Sequence, residues 1–544
     1  MSKRIFALVL TALLSLSVMT ACAGNASSSQ QSASSAASEA PAASQTEEYM
    51  PSYPIVSEKV TFTAAVPMDN VSEHLWYKAY EEATNVAIDW QYWSDWETQL
   101  GVALSGNEVP DIIFNLYNTG MDKAQSLKYG QQKYFINYKD YLKYMPDLVA
   151  LMDAHPESYK TVENEDGSGS MYALPAFRQT LTAFPGTLYY RTDMFQEAGI
   201  EAPKTTDDLL QATKDLQSYY GKDNKNFIAF QPYSSTHLSS QLLYYLFPAF
   251  GDEVDMEFGS SDGKTVTYNY TSEQYRRLME YMHELYTCGG FDKNIFSEDG
   301  TNAKAVLLAN NAALTTYGTI YSLDNFKSGN YDVDLLAPLT SEYTSTQKYP
   351  KAYSSHMASF EISTKCSDIE TLVKWVNALY TSEENEIAPG VSGISLWLGV
   401  KGENWDYDDD SKETYTIKVP EGYDGAATNF LTEFGFSNAA NCIFMSLNSS
   451  SQGLLCKGNG TRDNLLPYSV DIFPKAYLAF TDDESTTLAE NYTDINKFVA
   501  ESQASFITTG VTDDSWNAYV SAINSMGIDQ VLAVYQAAFD RYNA

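Results

Sequence analysis

The sequence predicts an α/β protein of at least two lobes, and three observations predict it. The stretch from about residue 57 to 544 is too long to close around one hydrophobic core. Along it, strand-like runs alternate with amphipathic helical runs, the order that builds mostly parallel sheets. No internal repeat substitutes a solenoid for that order.

The elements follow in turn. Residues 59–66 (Lys-Val-Thr-Phe-Thr-Ala-Ala-Val) read as a strand, and a helical stretch follows near 75–83. A second strand, 111–114, comes after the turn residues Gly106, Asn107 and Pro110, and a third is Thr187-Leu188-Tyr189-Tyr190. Pro203-Lys204-Thr205-Thr206 leads into a helix with Leu209, Thr213, Leu216 and Tyr220 on one face. Ser367 and Glu370 form a capping box ahead of Leu372, Val373, Val376 and Leu379. Asp262-Gly263 reads as a hairpin turn between Glu257-Phe258 and Thr265-Val266-Thr267. The tail 513–542 reads as two helices broken at Gly527.

The N-terminus gives an address. Lys3 and Arg4 precede an apolar run, residues 5–18, too short and wrongly flanked to span a membrane. The run ends on Met19-Thr20-Ala21-Cys22, which resembles the lipobox of bacterial lipoproteins, with Met19 where leucine is usual. That resemblance implies a signal peptide over 1–21 and a diacylated Cys22 as the first mature residue. Residues 22–56 are rich in serine and alanine with little to bury, so they read as a disordered tether. A flexible coil of that length spans about 30 Å on average.

Composition excludes further classes. The chain has 34 Lys and Arg against 70 Asp and Glu, a net charge of −36 that becomes −38 once Lys3 and Arg4 are cleaved. No basic face for nucleic acid is visible. Cys288, Cys366, Cys442 and Cys456 lack the close pairs of a zinc site; pairing of Cys442 with Cys456, or of Cys288 with Cys366, stays open. His74, His155, His237, His283 and His356 form no H-E-x-x-H pattern. Counting a calcium loop from Asp406 puts Ser411 at the glycine place and Ile417 at the glutamate place, so 406–410 reads as a solvated loop. Gly390-Val391-Ser392-Gly393 has the wrong spacing for a nucleophile elbow. The 41 tyrosines suit a surface that grips polar ligands, although most of them serve to fill interfaces.

Several segments together resemble extracellular solute-binding proteins of ABC-type sugar and oligosaccharide importers, in their large lipoprotein subgroup. Ser105-Gly106-Asn107-Glu108-Val109-Pro110-Asp111-Ile112-Ile113 is similar to that family's A-S-G-D-x-P-D-I stretch. Met171-Tyr172-Ala173-Leu174-Pro175 is similar to its Y-A-L-P segment, and Leu188-Tyr189-Tyr190-Arg191-Thr192-Asp193-Met194-Phe195 with Gly199-Ile200 and Pro203-Lys204-Thr205 to its L-Y-Y-R-K-D-L-F block. Trp516 to Tyr542 resembles its C-terminal signature.

The resemblance implies a type II, two-lobed periplasmic-binding-protein-like fold with ligand in the cleft. It implies crossings near 175–186 and 350–358, lobe 1 as 57–178 with 356–430, and lobe 2 as 179–349 with 431–544. A sugar ring asks for a flat aromatic against its face and convergent polar groups around its rim. At the implied strand ends the candidates are Asp69, Asn70, Asn115, Tyr117, Asn118, Arg178, Tyr233, His237, Tyr317, Tyr321, His356 and Trp397. Two departures bear on specificity. The family's calcium loop is truncated to Gly221-Lys222-Asp223-Asn224-Lys225-Asn226-Phe227, so no metal is expected there, and its Y-G-I-E-G loop is Leu398-Gly399-Val400-Lys401-Gly402, with Lys401 in place of glutamate.

The expectation is a lipid-anchored receptor without catalytic residues, cofactor or metal. It would be a monomer on the extracellular face of a Gram-positive membrane, touching that membrane only through its anchor and passing a carbohydrate to permease subunits. The alternatives are a surface-anchored glycoside hydrolase, which needs two carboxylates across one bond, and a binding protein for peptides or other polar nutrients.

Overall fold

A computed structural model describes residues 49–543 apart from 115–120, 122, 165–167, 179–185, 318–319, 321–331, 352–354, 359, 411, 413, 424–429, 431–432, 435–442, 445–447 and 450–459. The leader, Cys22 and the tether to residue 48 lie outside the described residues, as do Cys442 and Cys456. Among the described residues no helix is long and apolar enough to cross a membrane.

Residues 49–544 form one unit with two large hydrophobic cores. The first core gathers side chains from Phe62 to Phe177 and again from Phe360 to Val400. Its sheet runs β13 (Phe360–Ile362), β3 (Ile112–Phe114), β1 (Val60–Val66), β2 (Val86–Tyr92). β1 pairs parallel with β2 and β3, and β13 closes the edge antiparallel to β3. Asp111, at the head of β3, is a fixture of this sheet: its Oδ2 accepts from Thr63 N at 2.8 Å, and its own N–H donates to Thr63 Oγ1 at 3.0 Å. Trp375 and Tyr80 meet edge to face at 5.7 Å beneath it.

The second core gathers residues from Leu188 to Tyr349 and again from Leu465 to Phe539. Its sheet runs β10 (Val333–Leu335), β5 (Tyr189–Arg191), β9 (Leu314–Thr315), β6 (Phe230–Gln231). β6 and β9 are parallel, while β5 runs against β9 and β10. Both sheets are therefore mixed: the first keeps the expected parallel majority, with two parallel pairs to one antiparallel, whereas the second has one parallel pair to two antiparallel. The strand that enters each core from the other one runs against its neighbours, which a reading based on local alternation does not capture.

Small pieces complete the framework. Strands β4 (Leu174–Arg178), β12 (Ser355–Ala358) and β16 (Ile443–Phe444) form one short sheet, so the segments that link the cores pair with each other. The predicted hairpin is β7 (Phe258–Gly259) with β8 (Thr267–Tyr268). Its turn is held by Asp262, whose carboxylate accepts from Lys264 N and Thr265 N, with Gly263 at φ +67°. A satellite core of Ile394, Leu398, Trp405, Tyr415, Ile417 and Phe430 surrounds the hairpin β14 (Trp405–Tyr407) and β15 (Thr414–Ile417). The acidic run 406–410 belongs to that hairpin.

Helix boundaries follow local chemistry. Thr205 and Asp208 make a reciprocal capping box at the start of Thr206–Gly221. The helix Ile369–Ala378 is capped by Asp368, which accepts from Thr371 N at 3.0 Å, one residue beyond the predicted Ser367 cap. A carboxylate at that place also meets the positive end of the helix dipole. Glu370, freed from a capping role, pairs with Lys374 at 2.6 Å. The tail helices are Asp513–Ser525 and Ile528–Asn543, separated at Gly527 with φ +90°. The sequence reading gave no helix for the 28-residue element Asp482–Thr509 that precedes them.

One buried side chain knits the first core in trans. Asn377, 1% exposed, accepts from the N–H groups of Asp147 and Leu148 at 3.0 and 3.2 Å, at the start of the helix Pro146–Ala154. It also donates to Asp147 Oδ2 at 2.7 Å. Asn377→Ala strands buried donors and is expected to cost about 2–3 kcal/mol in urea unfolding. An unchanged midpoint refutes the cap.

Candidate functional site

Two parallel strands end level on the second sheet, Gln231 opposite Thr315. Two residues beyond each end stands a tyrosine, Tyr233 after β6 and Tyr317 after β9. The threonines of the β9 end fix both: Tyr233 N donates to Thr316 Oγ1 and Tyr317 N to Thr315 Oγ1, each at 3.1 Å. The rings stack at 4.3 Å with 24° between planes. Tyr317 is 7% exposed and Tyr233 half-buried, so Tyr317 supports the ring that meets solvent.

His237 stands perpendicular to Tyr233 at 4.6 Å. Its Nδ1 pairs with Ser234 Oγ at 2.8 Å, and the same hydroxyl accepts from His237 N, which sets the ring's position at the head of a short helix. Burial lowers the His237 pKa, so the imidazole is neutral at pH 7 and has both donor and acceptor character. Lys304 holds its Nζ 5.7 and 5.8 Å from the two ring centroids. The wall is thus an aromatic face edged by an imidazole and an ammonium.

On the first sheet, β1 and β2 also end level, Val66 opposite Tyr92. Asp69 and Asn70 follow β1 and are exposed, with Asn70 in the left-handed region at φ 57° ahead of the turn Val71–Glu73. Behind them, burial pushes His74 down to about 4, against the opposing pull of Asp69. Beyond β2, Tyr92 is 51% exposed, and Asp95 caps the helix Trp96–Gly106. Sequence reasoning missed Tyr92, although the aromatic run Trp90-Gln91-Tyr92-Trp93 marks the place where the strand stops.

Of the remaining candidates, Arg178 ends β4 and His356 lies in β12 opposite Ala176, which puts both in the sheet that links the cores. Asn115, Tyr117, Asn118 and Tyr321 lie outside the described residues. Trp397 goes elsewhere: it packs on the satellite core, edge-on to Tyr415 at 6.2 Å, and does not join the tyrosine pair. The motif residue Arg191 is structural, 3% exposed, with a two-point ion pair to Asp193 at 2.8 and 2.6 Å and a bond to Asn310. Cys288 and Cys366 are free thiols on separate cores. Among the described residues no three His, Cys, Asp or Glu side chains are grouped to hold a metal.

A cavity of about 530 Å³ opens elsewhere in the second core, lined by Asp252, Asp255, Lys348, Asp471 and Phe473 among others. None of its lining residues follows β6, β9, β1 or β2, and the convergence of aromatic and polar groups at the strand ends outweighs its volume as a ligand signal.

Comparison with known proteins gives the chain's family and fold. Residues 69–386 match the family described as bacterial extracellular solute-binding protein. The fructooligosaccharide ABC transporter substrate-binding protein FusA of Streptococcus pneumoniae serotype 4 is 24% identical over 521 residues, covering 91% of this chain and 92% of that one. The solved HMO-binding, ABC-transporter-associated solute-binding protein of Bifidobacterium longum infantis superposes with TM-score 0.69 at 18% identity, covering 89% of this chain and 99% of that one. FusA in complex with kestose gives 0.68 at 19%, with the same coverage. The fold is accordingly the two-lobed type II architecture of solute-binding proteins, with its cleft between lobes. With that fold, and with a family match over more than half its length, the chain belongs to the bacterial extracellular solute-binding proteins.

Proposed function

We propose that the protein captures an oligosaccharide in its cleft and hands it to an ABC importer, without chemistry of its own. The observation that carries this reading is the Tyr233 ring, backed by Tyr317 and edged by His237 and Lys304, at paired strand ends. A flat ring with polar groups around its rim matches the apolar face and hydroxyl rim of a pyranose or furanose. The names of FusA and of the HMO-binding protein support the same ligand class. The division of core residues supports lobe 1 as 57–178 with 356–430 and lobe 2 as 179–349 with 431–544. Ligand touching both lobes favours the closed form, which permease subunits would recognise. In this reading the receptor is a monomer held outside a Gram-positive cell by lipid on Cys22.

A thermal-shift screen over oligosaccharides and peptides tests the ligand class, since a ligand at a hundred times its Kd stabilises the folded state by about 2.7 kcal/mol. A shift with peptides alone overturns the reading, and so does consumption of any glycan incubated with the purified protein. Cys22→Ser is expected to move the protein from the membrane fraction to the medium with sugar affinity unchanged; retention on membranes refutes the anchor.

A further inference from the structure

Gly300 and Lys304 lie one turn apart on the same face at the start of the helix Thr301–Leu308, and that face meets Tyr233. Gly300 has φ +96°, and a Cβ there would stand 2.4 Å from Tyr233 Cζ, so backbone alone fits against the ring. The contact is held rigidly. Buried Glu298, 6% exposed, accepts from Gly300 N and from Asn302 Nδ2, both at 3.0 Å, while its carbonyl accepts from Ser235 N at 3.0 Å. The loop that carries Tyr233 and the loop that starts the helix are therefore tied together. Lys304 is exposed, yet its ammonium is drawn in beside the two phenol rings, 5.7 and 5.8 Å from their centroids. A long flexible cation placed on the rim of an aromatic platform, with protons to spare, is placed to meet whatever lies on that platform.

Resting on the reading that Tyr233 carries a sugar ring, we infer that Lys304 is a specificity-determining residue of the wall. Its ammonium donates to an oxygen on the rim of the bound ring and favours a ring that carries a carboxylate. Gly300 is the positioning residue that keeps Tyr233 against Tyr317 and under that ammonium. A charge-assisted hydrogen bond is about twice as strong as a neutral one, so the preference follows from the donor's charge.

The test titrates the full chain and its variants with kestose, maltotriose, xylotriose and trigalacturonate. Lys304→Met is expected to weaken every sugar that binds by about tenfold and trigalacturonate most, the size of a lost charged hydrogen bond, while Lys304→Arg keeps the order of preference. Gly300→Ala is expected to weaken binding and also to lower the melting temperature, because it adds left-handed backbone strain and a contact with the Tyr233 ring. Acetylation of Lys304 by acetic anhydride, read by peptide mass spectrometry, should slow when sugar is bound, which a purely structural lysine would not show. If Tyr233→Ala weakens binding but Lys304→Met and the acetylation rate do not respond, the inference about Lys304 fails alone. If Tyr233→Ala also has no effect, or none of the four sugars binds the unaltered chain, the sugar-wall reading fails and takes this inference with it.

Discussion

Tyr233→Ala is expected to lower affinity for the best-bound oligosaccharide by about 10- to 100-fold, the loss of some 1.5–3 kcal/mol for an aromatic face that stacks on a sugar ring. The size follows from what the ring does in place. Its partner Tyr317 is nearly buried, and Gly300 and His237 bound its other sides, so no neighbouring ring can move in to replace it. Tyr233→Phe keeps the stacked face and loses only the hydroxyl, so its loss should be small beside that of the alanine variant. Because Tyr233 is only half-buried, the melting temperature should change little, which separates a binding role from a packing one. Calorimetry that finds the alanine variant within twofold of the unaltered chain removes Tyr233 from the site. Trp397→Ala makes the contrast. Packed against Tyr415 and the satellite core, it should act first on stability.

The alternation of apolar residues was enough to place β1, β3 and the paired tail helices, because each is decided by local periodicity and by a glycine or proline at its end. Tyr233 and His237 could be placed just beyond the apolar run 227–230, whereas Tyr317 was a candidate through the family resemblance, as a position where relatives often carry a stacking aromatic. What local pattern cannot supply is direction and distance. The antiparallel β5 and β13 depend on the side from which the chain enters each sheet. The Asp368 cap won over Ser367 through geometry one residue away. Trp397 resembled a platform because it precedes a loop, but Tyr415 on β15, more than ten residues further on, folds back to pack against it. Gly300 and Lys304 lie 67 and 71 residues from Tyr233 in sequence and meet it in the fold, where the bonds of Glu298 tie the two loops together. The arginine of the L-Y-Y-R segment shows the converse: a conspicuous motif residue spent on an internal ion pair with Asp193.

Asp255→Asn is expected to stabilise the protein at pH 8 and to change little at pH 4. Asp255 is 7% exposed beside the hairpin β7–β8, and burial pushes its pKa up to about 7, with nearby Glu257 adding to the rise. Its carboxylate accepts from Glu257 N at 2.9 Å, which opposes the shift without cancelling it. The unfolded chain ionises the same group near pH 4. With the folded value above the unfolded one, this group's contribution to stability is fully present below about pH 4 and is lost as pH rises through about 7. Each unit of separation corresponds to about 1.4 kcal/mol, so the whole effect is on the order of 2–4 kcal/mol. Asparagine keeps an acceptor for Glu257 N and cannot ionise, so it removes the penalty and leaves the turn in place. Adjacent Glu257 stays occupied, since Lys475 donates to both of its oxygens at 2.7 and 2.6 Å and Tyr492 donates to Oε1. The quantity to measure is the difference in unfolding free energy between variant and unaltered chain at intervals from pH 4 to 8, which cancels the titrating groups that are not coupled to Asp255. That difference should grow in favour of asparagine across this window; a flat line, or a difference that grows as pH falls, would show that Asp255 is ionised in the folded protein and stabilised by the charges around it.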